Sequence, residues 1–281
     1  MSGSLMHYPQ IDPIILSLGP VALRWYGLMY LLGFTAVWWL GHRRATTQQP
    51  HWSRDELSDM VFFGALGAVL GGRIGYVLFY NFAVLANDPL YLFRIWEGGM
   101  AFHGGLLGVL VAMLLFARKS GRSFISIIDF LAPLCPIGLG LGRVGNFINM
   151  ELPGRISESG VGLVYPCDAV AAISPMCVGA WDSVVRHPSP LYQAFFEGAV
   201  LFILLWLVSR TPRPVGFVSA LFLCGYGCLR LFTEFFREPD AHIGFVVFDS
   251  VSMGQLLSLP LLIAGILLGL WSLQNARAGA R

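Results

Sequence analysis

The chain has 281 residues, of which 56% are hydrophobic and 12% charged, and its formal net charge is +2. A soluble domain carries roughly 25% charged residues, so 18 basic and 16 acidic side chains are too few to solvate a folded chain of this size. Aromatic residues at 14% also exclude collagen-like, disordered and disulfide-scaffold readings.

Mostly apolar stretches of about 20 residues, the length that crosses a bilayer, fall at 21–40, 60–80, 100–116, 124–141, 191–208, 215–232 and 251–273. The expected fold is therefore all-α: a polytopic membrane helix bundle of about seven transmembrane helices in a single integral membrane domain, 1–281. Arg43, Arg44 and Arg54, then Arg118, Lys119 and Arg122, then Arg210 and Arg213, and finally Arg277 and Arg281 fall on one side of it. Because basic loops stay cytoplasmic, the N-terminus is expected outside and the C-terminus inside. The first 20 residues lack the basic stretch of a secretory leader, so no cleaved signal is expected.

In the second span Gly67, Gly71 and Gly75 recur every four residues, as Gly104 and Gly108 do in the third. Small residues at that spacing let two helices pack closely. The third span opens Phe102-His103-Gly104-Gly105, which places a proton acceptor suited to neutral pH near the outer end of the bundle. Beyond the fourth span an outward-facing segment, 142–190, is rich in Gly, Ser and Pro. Connections of that length are functional or disordered. Cys167 and Cys177 within it either pair as a disulfide, which an outward compartment permits, or stay as two unpaired small residues.

Ionisable groups in a bilayer cost about 3 kcal/mol on insertion scales unless paired or wetted. Arg24, Arg73, His103, Asp129, Glu197, Arg230 and Glu234 all fall within the spans. Arg24 stands where a side chain can snorkel to the interface; the set together predicts a shared cavity or network. In the sixth span Tyr226, Arg230, Glu234 and Arg237 are spaced by four, four and three residues. They fall within roughly an 80° arc of a helix with 3.6 residues per turn. Such a row is either an internal salt bridge or an anion site, since guanidinium forks match phosphate oxygens.

The densest motif is Gly142-Arg143-Val144-Gly145-Asn146-Phe147-Ile148-Asn149-Met150-Glu151-Leu152-Pro153-Gly154-Arg155. Pro133 and Pro136 upstream predict that the helix leading into it is kinked or broken. Two guanidiniums and two amides in so short a run form a donor array suited to a phosphate headgroup.

This run resembles the signature of the prolipoprotein diacylglyceryl transferases of bacterial plasma membranes. His103-Gly104-Gly105-Leu106 is similar to a second motif of that family. Tyr226-Gly227-x-x-Arg230, followed by Glu234-Phe235-Phe236-Arg237-Glu238-Pro239-Asp240, is similar to a third. The likeness runs from Tyr26 to Gln255. One departure is visible: the family often reads His-Pro-Ser-Gln-Leu-Tyr-Glu where this chain reads His187-Pro188-Ser189-Pro190-Leu191-Tyr192-Gln193. Here the segment is expected mainly to start a helix, where proline is tolerated.

The resemblance implies transfer of the diacylglyceryl group of phosphatidylglycerol to the lipobox cysteine of a preprolipoprotein signal peptide, forming a thioether and releasing glycerol-1-phosphate. His103, Arg143 and Arg230 are the implied catalytic residues, with His103 either the general base or a headgroup ligand. Arg143, Arg230, Tyr26, Asn146, Glu151, Gly154, Tyr226 and Glu234 are the implied phosphatidylglycerol site, with Glu151 and Glu234 holding arginines and Gly154 permitting a tight turn. The expected setting is the inner membrane, with no cofactor, no metal and no nucleic-acid partner. The alternative is a transporter or flippase for an anionic lipid; a serine hydrolase is disfavoured because the chain has no Gly-x-Ser-x-Gly elbow.

Overall fold

The computed structural model describes residues 6–9, 11–19, 21–45, 52–152, 154–158, 160–165, 184–239, 244–247 and 250–279. Cys167 and Cys177 lie outside them. The order is β1 (Ile14–Leu18), β2 (Val21–Arg24), α1 (Trp25–Ala45), α2 (Arg54–Tyr80), α3 (Phe82–Asn87), two 3-10 turns, α4 (Phe102–Ser120), α5 (Phe124–Leu131) and α6 (Cys135–Ile148). It continues with α7 (Ser189–Gln193), a π-helical segment (Ala194–Val200), α8 (Leu201–Val208), α9 (Phe217–Glu234), β3 (Phe245–Val247), β4 (Val251–Ser252) and α10 (Met253–Gly279).

Helix occupies most of each of the seven predicted spans, with strand or irregular residues at several edges and one break inside a span. Residues 21–24 are a strand, antiparallel to β1 across a turn at Gly19, whose φ is +61°. Helix therefore starts only at Trp25, and Arg24 is exposed at the strand end. Residues 251–252 are likewise a strand before α10. The fourth span is broken at 132–134, where Pro133 cannot continue the ladder and Pro136 opens the first turn of α6. Among the described residues five helices are long and apolar enough to cross a membrane, or six if the broken pair counts as one. Helix α1 has the length at 21 residues, but its three Trp and two Tyr lower its mean hydropathy.

Side chains are distributed for lipid rather than water. Ile263, Ile266, Leu267 and Leu270 of α10 are exposed, as are Leu106, Leu107, Val111 and Leu115 of α4. The interior instead holds Arg73, Ser189, Gln193, Glu197, Arg230, Thr233 and Glu234. Apolar surface costs nothing against hydrocarbon, whereas polar groups must find partners inside.

The described chain forms two compact units: Met1–Gly33 with Ala132–Arg281, and Phe34–Leu131. In the second unit α2 and α4 meet backbone to backbone; a Cβ on Gly75 would stand 2.8 Å from the Gly104 Cα, and one on Gly71 2.8 Å from the Gly108 Cα. The predicted glycine seam is thus a helix contact. Arg73, also in this unit, is satisfied by backbone: it donates to the carbonyls of Tyr91 (2.6 Å), Leu92 (3.2 Å) and Gly98, and lies over the Tyr91 ring. It ties the 3-10 turns to α2, and Asp129 lies in electrostatic reach of Arg44. Arg73 and Asp129 thus meet partners within this unit.

Gly75→Val overpacks the seam and is expected to cost about 1–3 kcal/mol. A Cβ on Gly138 meets nothing within 4 Å, so Gly138→Ala should match the parent or exceed it. Thermal unfolding of both variants in detergent measures the contrast.

Candidate functional site

The first unit gathers the signature residues around the end of α6. This helix packs on the π-helical segment at its narrowest residues: a Cβ on Gly140 would lie 3.0 Å from the Gly198 Cα. Gly145 gives the same clearance to the Tyr26 ring, which would lie 2.8 Å from an added Cβ. Tyr26 thereby reaches the electrostatic field of both Glu151 and Arg143, and its hydroxyl lies 3.4 Å from that of Tyr30.

Past Ile148 the chain reverses sharply, with Met150 and Leu152 in the left-handed region at φ 52° and 56°. Two such non-glycine residues are strained and need surrounding structure to hold them. Met150 is buried against Tyr8 and Tyr165. The Tyr8 hydroxyl donates to the carbonyls of Phe147 (2.9 Å) and Ile148 (3.1 Å), satisfying orphan acceptors at the helix end. Burial pushes the Tyr8 phenol up to about 12, so it stays a neutral donor.

The reversal turns Glu151 back onto α6. Its carboxylate accepts from Asn146 Nδ2 at 2.6 Å and from Asn149 Nδ2 at 3.2 Å. This corrects one expectation, since among the described residues Glu151 holds two amides and pairs with no arginine. The tight spacing of Asn146, Asn149 and Glu151 reflects a self-contained clamp. Gly154 also differs from expectation. Its φ is not positive, and its backbone is wedged between two neighbouring segments, bridging Arg237 while a Cβ would meet the His187 Cβ at 2.7 Å. Arg186 Nη1 donates to the Gly154 carbonyl at 3.1 Å and to Glu238 at 3.2 Å.

A charge network lies where α6, the π-helical segment, α9 and α10 meet. Glu197, in the π-helical segment, has no exposed surface. Its Oε1 accepts from Thr233 Oγ1 at 2.6 Å and from Arg230 Nη1 at 3.4 Å, and its Oε2 faces Arg143 Nη2 at 3.8 Å. Arg230 Nη2 also pairs with Glu234 Oε2 at 2.8 Å, one helical turn on, and Arg237 Nη1 lies 3.8 Å from Glu234 Oε1. Ser252 Oγ donates to Glu234 Oε1 at 2.9 Å, and Gly254 lets that carboxylate approach the first turn of α10. The positive end of a helix dipole favours an anion there. Tyr226 lies in the field of Arg143, Arg230 and Glu197.

Tyr26, Arg143, Asn146, Glu151, Gly154, Tyr226, Arg230 and Glu234 thus all sit in one unit. His103 belongs to the other, exposed in the first turn of α4 with its ring against Phe102. Glu197 was legible as an intramembrane charge but not as the centre of the network, and Thr233 gave no signal. Three guanidiniums (Arg143, Arg230, Arg237) here face two carboxylates (Glu197, Glu234), an imbalance suited to an anion. Arg143 keeps 21% of its side chain exposed against 8% for Arg230, so it is the more open donor. Among the described residues no group of three or more His, Cys, Asp or Glu side chains is placed to hold a metal ion.

The family model described as prolipoprotein diacylglyceryl transferase matches residues 13–271. A phosphatidylglycerol–prolipoprotein diacylglyceryl transferase of Pseudoalteromonas atlantica is 53% identical over 98% of this chain and 94% of its own length. Relatives of the same name from Photobacterium profundum and Escherichia coli are 52% and 49% identical, covering 97% and 98% of this chain and the same shares of their own.

Removing one member of a buried ion pair leaves the other uncompensated, at a cost of about 3–5 kcal/mol. Glu197→Ala is expected to show a loss on that scale by chemical unfolding in detergent. Asn149→Ala, at the more accessible Glu151 clamp, should lose about 1 kcal/mol.

Proposed function

The chain belongs to the prolipoprotein diacylglyceryl transferase family, and we propose that the network around Arg143 and Arg230 is where it binds the phosphate of phosphatidylglycerol. The activity is transfer of the diacylglyceryl group from phosphatidylglycerol to a prolipoprotein, the first step of lipoprotein maturation. The chain is a multi-pass membrane protein. Its Arg and Lys placement supports an inner-membrane setting with the N-terminus periplasmic and the C-terminus cytoplasmic. The acceptor on this reading is the lipobox cysteine of the signal peptide.

The chemistry accounts for the residues. The cysteine sulfur attacks the glyceryl carbon that bears the phosphate; an S–C bond forms, the C–O bond breaks, and its electron pair leaves on the phosphate oxygen. The phosphodiester becomes a phosphomonoester and gains negative charge as glycerol-1-phosphate departs. Donors aimed at that phosphate bind the transition state more strongly than the ground state. The observation that carries this reading is the pairing of Arg230 with both Glu197 and Glu234, at 3.4 and 2.8 Å. The two carboxylates fix the plane of the guanidinium while using two of its five N–H donors. Arg143, more open and 3.8 Å from Glu197, is the donor that anchors the incoming lipid.

The thiol proton must also go somewhere. A thiol near pKa 8.5 is largely protonated at neutral pH, and a lipid setting holds it so. His103 takes that proton or orients the headgroup. Transport of an anionic lipid, the alternative reading, has no observation in its favour, and the named relatives are transferases.

Purified enzyme with phosphatidylglycerol and a lipobox peptide should release glycerol phosphate only when the peptide has its cysteine, and should do so in the presence of chelator. Arg143→Ala and Arg230→Ala should each lower turnover at least ~100-fold, the scale of one lost transition-state donor. Near-normal turnover in either variant removes that arginine from the mechanism. A His103→Gln enzyme whose rate recovers at high pH identifies a base; a loss that is flat with pH identifies a headgroup ligand.

A further inference from the structure

Among the described residues of its row on the helix, Gln193 is the polar side chain without a hydrogen-bond partner at either end. Ser189, Gln193 and Glu197 follow at four-residue intervals and each has 0% exposed surface. Ser189 Oγ donates to the Leu152 carbonyl at 2.7 Å, and Glu197 faces Arg143. Both outer members of the row thus engage the segment 143–152, and Gln193 lies between them, one turn from each. Its Nε2 and Oε1 are both buried and neither has a hydrogen-bond partner. Buried amides are almost always paired in folded proteins, so an amide with both ends open beside an anion site points to a ligand.

The chemistry of the amide narrows that ligand. The guanidiniums of Arg143 and Arg230 only donate, which suits phosphate oxygens that only accept. A carboxamide both donates and accepts, which suits a hydroxyl. Of the headgroup groups in phosphatidylglycerol, the terminal glycerol carries hydroxyls and lies directly beyond the phosphate. Resting on the function proposed above, we propose that Gln193 binds the terminal glycerol hydroxyls and so selects phosphatidylglycerol over phosphodiester lipids that lack them.

The test compares kcat/KM for phosphatidylglycerol and for phosphatidyl-n-propanol, which keeps the phosphodiester and lacks both glycerol hydroxyls, with one lipobox peptide throughout. A site built to pair a hydroxyl rejects an analogue without it, so the parent enzyme should prefer phosphatidylglycerol at least ~tenfold. Gln193→Leu should bring that ratio to within about twofold of unity, and Gln193→Glu, which keeps an acceptor, should retain a preference. Gln193→Met is read in place of Leu if the latter does not yield folded protein. Equal use of both lipids by the parent enzyme overturns the proposal, as does a fall of the same size on both lipids in Gln193→Leu, which marks a packing role. Absence of parent turnover on either lipid counts instead against the function.

Discussion

The structure of the first unit depends on one buried carboxylate. Glu197 has no exposed surface in a segment that lies among lipid-facing helices. Taking a carboxylate-sized ion from water into a low-dielectric medium costs on the order of 20 kcal/mol before compensation. The compensation comes from three side chains on two other helices: Arg143 of α6, with Arg230 and Thr233 of α9. A charge that must be met from several directions constrains all the elements that meet it. The positions of α6, α9 and the π-helical segment are therefore coupled through one group.

The backbone around that group is shaped to allow the convergence. Seven residues of wider helix carry Glu197, and π-helical turns of this kind occur mostly at functional sites. Gly140 and Gly198 bring α6 against the same segment without intervening side chains, so Arg143 is close enough to reach across. On the far side Glu234 is held by Ser252 and the first turn of α10. An aromatic group formed by Phe196, Phe232, Phe236, Tyr192 and His187 packs alongside, edge to face except for the tilted pair His187–Tyr192. Burial lowers the His187 imidazole, which keeps that ring neutral in this setting.

Much of this was legible from spacing alone. The four-residue rhythm of Tyr226, Arg230 and Glu234 on a regular helix leaves little choice about their common face, and the pair Arg230–Glu234 follows from it. Pro133 and Pro136 announce the broken fourth span because proline lacks the donor that a helix needs. What escaped was long-range pairing. Arg73 reads like a ligand group in sequence, yet its partners are carbonyls in 3-10 turns some twenty residues away, which no local pattern specifies. The strand at 21–24 escaped for the opposite reason: its apolar residues satisfy a helix and a strand equally, and pairing with Ile14–Leu18 decides between them. Glu197 illustrates both. Its charge was visible, but its central position depends on which helices pack around it.

The acidic groups of the site do not cancel its use for an anion. Free guanidiniums in lipid would be costly and mobile, so carboxylates on Arg230 and near Arg143 make them tolerable and fix their planes before substrate arrives. The excess of one guanidinium over carboxylates then matches the single charge of a phosphodiester. On the proposed reaction the phosphate gains further charge as the C–O bond breaks. Arg143, which pairs with Glu197 at 3.8 Å against 3.4 Å for Arg230 and is the more exposed of the two, has less to give up than Arg230 in turning toward it. On that proposal, a rigid arginine sets the geometry and a more open one follows the developing charge, so that two helices divide the electrostatic work, and Glu197 is the group that both arginines share.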